Sequence, residues 1–171
     1  ADSAVVNIVG EHATYHIKYD APLTADIEGA AAPMSHWVKT SPTSKTIAGD
    51  GALAIEAATQ PPGQIATLIL PADTAWGPAD AVAVTTAPSA PPRVSDDAVK
   101  AAADLLRTSQ NATLLMGGAA LRERSLNLAG RIAAKTGCRL SCMTSNGRWQ
   151  RGAGRTPIER IQYPVPIALK Q

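Results

Sequence analysis

An apolar segment near the start of the chain, residues 4–9, constrains the fold most, because it stops at Gly10 and a polar loop follows it. Short continuous apolar segments of this kind are typical of parallel strands that are covered on both faces. Residues 64–71 and 112–116 have the same character, and helix-forming segments lie between the three. This alternation predicts an α/β fold made of parallel, doubly wound sheets.

Helix signals fill the stretches between these strands. Asp50 and Ser95 are predicted N-caps, since their side chains can accept a hydrogen bond from a first-turn amide. Gly137 is expected to end a helix in the left-handed conformation. The predicted helices cover residues 23–31, 49–60, 95–107 and 120–136, with short strands at 37–40 and 138–143, a loop at 146–160 and a further helix beginning at 167–169.

The middle of the chain predicts a linker. Residues 79–94 are rich in Pro, Ala and Ser and have no apolar periodicity. The linker separates residues 1–78 from residues 95–171, and each part has only two or three predicted parallel strands. Parallel sheets usually have more strands and two covered faces. We therefore expect two incomplete α/β domains that belong to a larger protein.

Composition excludes several classes of protein. The formal charge is only +2, with 16 Lys and Arg against 14 Asp and Glu, so no nucleic-acid partner is expected. No apolar segment is long enough to span a membrane, and no signal peptide is recognisable, which predicts a cytoplasmic protein without a membrane partner. Cys138 and Cys142 lie roughly 13 Å apart if both are on one strand, so we expect two buried thiols and no disulfide.

The loop after the first strand is the main candidate site. Ligands of open α/β sheets bind outside the carboxyl ends of strands, which places Gly10, Glu11 and His12 where they could line a cofactor or substrate. His12 and His16 are four residues apart and would share one face of a helix, so a zinc site is an alternative. A third interpretation is that both histidines are ordinary surface or interface residues.

Three further motifs have more than one interpretation. Gly117 and Gly118 lie between a strand and a long helix, which is typical either of a phosphate-binding turn or of close helix packing. Asp50 lies in a Gly-Asp-Gly triplet that follows no buried strand, so it is interpreted as a helix cap and not as a metal ligand. The three arginines at 148, 151 and 155 could meet a diphosphate or carboxylate, or be solvated loop charges.

Two long segments resemble one family of enzymes. VVNIVGEHATYHIKYDAPLTADIEGAAAPMSHWVKT (residues 5–40), followed by PPGQIATLILPADTAW (61–76), resembles the second half of the pyrimidine-binding domain of thiamine diphosphate-dependent enzymes, in the group of acetolactate synthase large subunits and benzoylformate decarboxylases. LLMGGAALRERSLNLAGRIAAKTGCRLSCMTSNGRWQRGAGRTPIERIQYP (114–164) resembles the start of that family's central domain. YDAPLTADIE (19–28) is the most distinctive part.

The resemblance implies a homodimer or homotetramer that acts on a 2-oxo acid with thiamine diphosphate and Mg²⁺. Acetolactate synthases also hold FAD in the central domain, so FAD is possible here. The glutamate that activates the cofactor and the Mg²⁺-diphosphate motif are expected outside these residues. The resemblance therefore assigns no catalytic residue and no metal ligand to the chain itself, and it leaves open whether the chain is an enzyme.

The resemblance also marks Pro22 and Leu23 as substrate- or cofactor-lining residues. Acetolactate synthases have a Phe-Gln pair at these positions, so this chain lacks the polar group that would meet a second substrate. That departure disfavours acetolactate synthesis. Leu23 is interpreted either as a wall of an active site or as an ordinary apolar residue at a helix start. For the whole chain, the alternative function is a non-catalytic binding or assembly module, with a nucleotide at Gly117 and Gly118 as one ligand.

Overall fold

The computed structural model describes residues 3–163, which form two compact units, 3–91 and 92–163. Both units contain a parallel sheet with helices, which confirms the predicted α/β fold. Residues 77–95 form neither helix nor strand. The helix predicted at 167–169 lies outside the described residues. Within 3–163, none of the helices combines the length and the apolarity that crossing a membrane requires.

The first unit is organised around a three-stranded parallel sheet in the order β1-β3-β2. Its strands are β1 (Val5–Glu11), β2 (Trp37–Thr40) and β3 (Ile65–Pro71). The central strand β3 is almost wholly buried, as predicted. The prediction of a buried first strand was wrong, because β1 lies at the sheet edge and most of its residues are exposed in the described part of the chain.

The helices of the first unit connect these parallel strands. They are α1 (Ile27–Ala31), α2 (Ile47–Thr59) and α3 (Ala72–Trp76), with short 3₁₀ helices at Ile17–Tyr19 and Ala32–Met34. The small side chains of Ala54 and Ala58 let α2 approach the sheet closely, where they pack with Ala66 and Leu68 of β3. The sequence did not predict α3, which begins directly where β3 ends.

The second unit has a parallel sheet in the order β4-β5-β6 and two helices. The elements are α4 (Asp96–Thr108), β4 (Thr113–Met116), a 3₁₀ helix (Gly118–Leu121), α5 (Glu123–Thr136), β5 (Arg139–Cys142) and β6 (Glu159–Arg160). Ser95 accepts a hydrogen bond from the amide of Ala98, and Gly137 has a φ of 73°, so both predicted helix ends are confirmed. The two-residue strand β6 was not predicted.

The core of the second unit lies between α5 and its sheet. Met116, Leu121, Leu126, Ala129 and Cys142 form a buried cluster, and Trp149 packs against it. Both cysteines are buried and free, as predicted. Because Leu121 belongs to the 3₁₀ helix, the turn between β4 and α5 is part of this core.

Candidate functional site

The carboxyl edge of the first sheet gathers polar residues from three elements. Because the strands are parallel and in register, Glu11 at the end of β1 pairs with Pro71, and Thr40 at the end of β2 pairs with Ile69. The residues that follow each strand therefore leave the sheet on the same side. This is the edge where ligands of open α/β sheets bind.

Glu11 and His12 form a close pair at this edge. One Glu11 carboxylate oxygen, Oε1, lies 3.0 Å from His12 Nδ1 and also accepts a hydrogen bond from the His12 amide at 2.5 Å. The rings of His12 and His16 meet edge to face, with centroids 5.7 Å apart. Gly10 precedes the pair in β1, and a Cβ there would meet nothing within 4 Å, so no close contact requires a glycine.

Thr14 anchors the loop after β1 to α3. Its amide and its hydroxyl donate to the two oxygens of the Asp73 carboxylate, at 2.8 and 2.5 Å. The hydrogen bond from the Thr14 side chain, followed by that from its amide, holds the pKa of Asp73 below its usual value. The loop that carries His12 is thus tied at its far side to a second element of the site.

Replacing Thr14 by Val should raise the pKa of Asp73 toward the usual range, because the hydroxyl donor is lost and the shape is nearly kept. Asp73 has a lowered pKa in the folded chain, so its bond to Thr14 stabilises the fold above the unfolded pKa and is lost as the pH falls through the folded pKa. Carboxyl ¹³C chemical shifts followed against pH report the change. Thr113→Val, an exposed strand residue of the second unit, is the control. An unchanged Asp73 titration in Thr14→Val would contradict this account.

Asp50 has a structural role that the sequence did not predict. It is not an N-cap, because α2 begins at Ile47 and Asp50 lies within its first turn. Its carboxylate is buried and forms an ion pair with Lys39 Nζ at 2.6 Å and a hydrogen bond with Ser41 Oγ at 2.8 Å. Burial raises the pKa of Asp50, but the bonds from Lys39 and Ser41 and the charge of Lys39 outweigh it, so the pKa lies below its usual value.

This buried ion pair fixes the position of α2 against the end of β2. Ser41 follows β2 directly, and its carbonyl accepts a hydrogen bond from Thr74 in α3 at 3.3 Å. Three elements are therefore joined through one carboxylate and one serine. Lys39 lies eleven positions before Asp50 in the sequence, so the packing of α2 on the sheet is what brings the two together.

Pro22 and Leu23 lie in an irregular segment before α1. The predicted helix start at residue 23 was wrong: the Asp26 side chain accepts a hydrogen bond from the Gly29 amide at 2.8 Å and caps the helix there. Leu23 has a φ of 76° and a side chain that is 91% exposed. Next to it, the Thr24 hydroxyl is buried with no hydrogen-bond partner among the described residues. A strained leucine and an unpaired hydroxyl thus lie side by side.

Gly117 and Gly118 do not lie at the start of α5. A 3₁₀ helix begins at Gly118, and Arg122 is the residue before α5, so the amides at the N-terminus of the long helix are elsewhere. A Cβ on Gly117 would meet nothing within 4 Å, so close helix packing does not require this glycine. Gly118 has a φ of 51°, which favours glycine in the turn.

Two of the three loop arginines have protein partners. Arg155 lies 3.5 Å from a Glu123 carboxylate oxygen, and Arg151 lies over the Trp149 ring at 5.1 Å. Arg148 is exposed. No group of three or more His, Cys, Asp or Glu within residues 3–163 is arranged to hold a metal ion. Glu11, His12 and His16 therefore do not form such a group, although the Glu11 carboxylate lies beside His12.

No model of a protein family matches the chain. In sequence, it is 42% identical over 168 residues to a candidate acetolactate synthase large subunit of Mycobacterium tuberculosis, a match that covers 98% of this chain and 32% of that protein. The chain therefore spans about a third of the length of the curated relative that it matches.

Two solved structures share the fold. A thiamine diphosphate-dependent 4-hydroxybenzoylformate decarboxylase from Rhodococcus jostii RHA1 matches with a TM-score of 0.67 at 21% identity, covering 86% of this chain and 29% of that one. A benzoylformate decarboxylase from Polynucleobacter necessarius matches with a TM-score of 0.61 at 22% identity, covering 83% and 27%. The sequence match confirms the resemblance to acetolactate synthase large subunits that residues 5–40, 61–76 and 114–164 predicted, and the solved structures confirm the fold.

Proposed function

Because the chain is similar over almost its whole length to one third of a candidate acetolactate synthase large subunit, we propose that it is part of a thiamine diphosphate- and Mg²⁺-dependent enzyme. The reaction would be decarboxylation of a 2-oxo acid or joining of its products. The 42% identity that runs through both units carries this proposal. The cofactor would act as an electron sink for decarboxylation.

The chain's own residues would contribute the wall of the site at the carboxyl edge of the first sheet. We assign this role to Gly10, Glu11, His12, Pro22 and Leu23. The strained backbone of Leu23 supports the assignment, and so does the Thr24 hydroxyl, which has no hydrogen-bond partner among residues 3–163, since such features persist where function requires them. The exposed side chain of Leu23 would present an apolar surface to the substrate.

FAD and the quaternary structure are separate parts of the proposal. The turn at Gly117 and Gly118 does not favour a flavin diphosphate, because it does not open a long helix. We also propose a homodimer or homotetramer. The exposed apolar side chains of the edge strand β1, Val6 and Ile8 among them, would be covered either by such a partner or by the rest of the larger protein. Light scattering of the purified protein measures its mass.

The test uses the purified protein that contains this chain, supplied with thiamine diphosphate and Mg²⁺. We expect calorimetry to detect thiamine diphosphate binding and CO₂ to be released from pyruvate or benzoylformate only when both are present. Absence of both binding and CO₂ release would reject the proposal in favour of a non-catalytic binding or assembly module. Parallel titrations with FAD and ADP would then show whether that module binds a nucleotide.

Replacing Leu23 by Gly should lower turnover without destabilising the fold. The side chain is 91% exposed, so its removal loses almost no burial, and glycine relieves the strain of a φ of 76°. We expect the free energy of unfolding to change by less than about 1 kcal/mol and kcat/KM to fall about tenfold. Val82→Gly, which removes another fully exposed aliphatic side chain, should leave kcat/KM unchanged. Equal activity of Leu23→Gly and wild type would remove Leu23 from the site.

A further inference from the structure

The Glu11 carboxylate is placed in an unusual way for a charged group. Its side chain is 10% exposed, and among residues 3–163 its hydrogen bonds both come from His12, one from the amide and one from Nδ1. Withdrawing a carboxylate from water is costly unless it is paired. The carboxylate of Glu11, at the end of β1, is therefore largely buried and is hydrogen-bonded to one imidazole ring.

This contact determines which ring nitrogen of His12 carries the proton. An ionised carboxylate can only accept hydrogen bonds, so Nδ1 must donate. In the neutral imidazole, Nε2 is then unprotonated and is an acceptor. The structure assigns no protein partner to Nε2 within the described residues, and the His12 side chain is still 23% exposed.

His36 provides the opposite case within the same unit. Its Nδ1 faces the backbone amide of Ile65 at 3.3 Å. An amide can only donate, so Nδ1 of His36 accepts, and the proton of the neutral ring lies on Nε2. The contacts of His12 and His36 thus favour opposite tautomers.

We infer that Glu11 is a positioning residue that holds His12 with Nδ1 protonated, so that Nε2 accepts a proton from a ligand's O–H or N–H group at the carboxyl edge of the sheet. When Nε2 takes the proton, the ring becomes an imidazolium ion and the Glu11 carboxylate, 3.0 Å from Nδ1, balances its charge. When the proton returns, the pair is again a carboxylate and a neutral imidazole. One proton moves between Nε2 and the ligand, and no other reactant is needed.

The edge-to-face contact with His16 supports the same geometry. The His16 ring lies 5.7 Å from the His12 ring, at an angle of 76° between the ring planes. With Glu11 holding Nδ1 and His16 packed against the ring, rotation of the His12 side chain is restricted on two sides. Such restraint favours a proton acceptor that is already oriented when a ligand arrives.

Two-bond ¹H–¹⁵N correlation spectra test the inference directly, once single histidine-to-glutamine variants have assigned the signals of His12, His16 and His36, the three histidines of this sequence. We expect neutral His12 in the Nδ1–H form and His36 in the Nε2–H form. Glu11→Gln keeps a carbonyl acceptor and should preserve the His12 tautomer, whereas Glu11→Met has no oxygen and should shift it to Nε2–H. The His36 signals should stay unchanged in both variants. Wild-type His12 in the Nε2–H form, or no change in Glu11→Met, would overturn the inference.

Activity provides a second readout that rests on the proposed function. In the protein containing this chain, we expect His12→Gln to lower kcat about 100-fold and Glu11→Met about tenfold, with KM nearly constant. His36→Gln, which can still accept from Ile65, should keep the wild-type kcat. Turnover at the full rate in His12→Gln would overturn the inference while the proposed function stands. If wild type shows no turnover, the proposed function fails, and the histidine spectra alone decide the role of Glu11.

Discussion

Replacing Lys39 by Met is expected to destabilise the first unit by about 3 kcal/mol, because it leaves the Asp50 carboxylate buried without its counter-ion. The Asp50 side chain is 4% exposed, and after the substitution the hydroxyls of Ser41 and Thr46 remain as neutral partners. Lys39 itself is 40% exposed, so Asp50→Asn should cost less: the ammonium group can turn to water. Amide hydrogen exchange of β2 and α2 measures both effects within the unit.

The dependence of this effect on pH is a sharper test. The pKa of Asp50 is lowered in the folded chain, so its ionised form stabilises the fold above about pH 4 and the contribution is lost as the pH falls through the folded pKa. In Lys39→Met, the effect of burial should dominate, so we expect the pKa of Asp50 in the folded chain to rise. The stability difference between wild type and Lys39→Met should therefore shrink below about pH 4. Lys45→Met, at an exposed position, is the control, and a difference that stays constant with pH would disprove the role of the ion pair.

Replacing Leu126 by Ala should cost the second unit about 3 kcal/mol, because this leucine is fully buried and its removal leaves a cavity in the core. Leu105→Ala is a matched control, since Leu105 also lies in a helix of this unit but is 66% exposed. It should change the stability by less than about 0.5 kcal/mol.

Hydrogen exchange of α5 and β5 distinguishes the two leucine variants. In Leu126→Ala, amides of both elements should exchange faster, because Leu126 packs in the same cluster as Met116 and Cys142 on the sheet. In Leu105→Ala, exchange in α5 should match wild type. Similar acceleration in the two variants would mean that α4 contributes as much to the core as α5, in conflict with the burial of these leucines.

The sequence predicted the elements that depend on local patterns. β3 and α4 appear within one or two residues of their predicted bounds, because a continuous apolar segment and a Ser-Asp-Asp cap are local signals. The prediction for Asp50 failed because it depended on a distant partner. Aspartate is a common helix cap, which is why Asp50 was predicted to be one. Its carboxylate instead forms a buried ion pair with Lys39 of β2.

The candidate site shows the same limit. The loop after β1 could be placed at the carboxyl edge from the strand pattern alone, but its anchoring through Thr14 and Asp73 spans 59 residues and leaves no local trace. The helix start was misplaced at Leu23 because helix propensity extends through residues 23–26, whereas the backbone there turns through a positive φ before Asp26 caps α1. The sequence marked Glu11 and His12 as neighbouring candidate residues, but it did not predict the hydrogen bond between their side chains.

Because both cysteines are buried, the reactivity of their thiols reports local opening of the second unit. Cys138 directly precedes β5 and Cys142 is its last residue, so both thiols lie in the second unit. A thiol that is closed off from solvent reacts with an alkylating reagent only when the structure around it opens. Cys142 lies in the core, so its labelling rate measures how often α5 separates from the sheet. Since the first unit has no cysteine, its opening does not affect this rate.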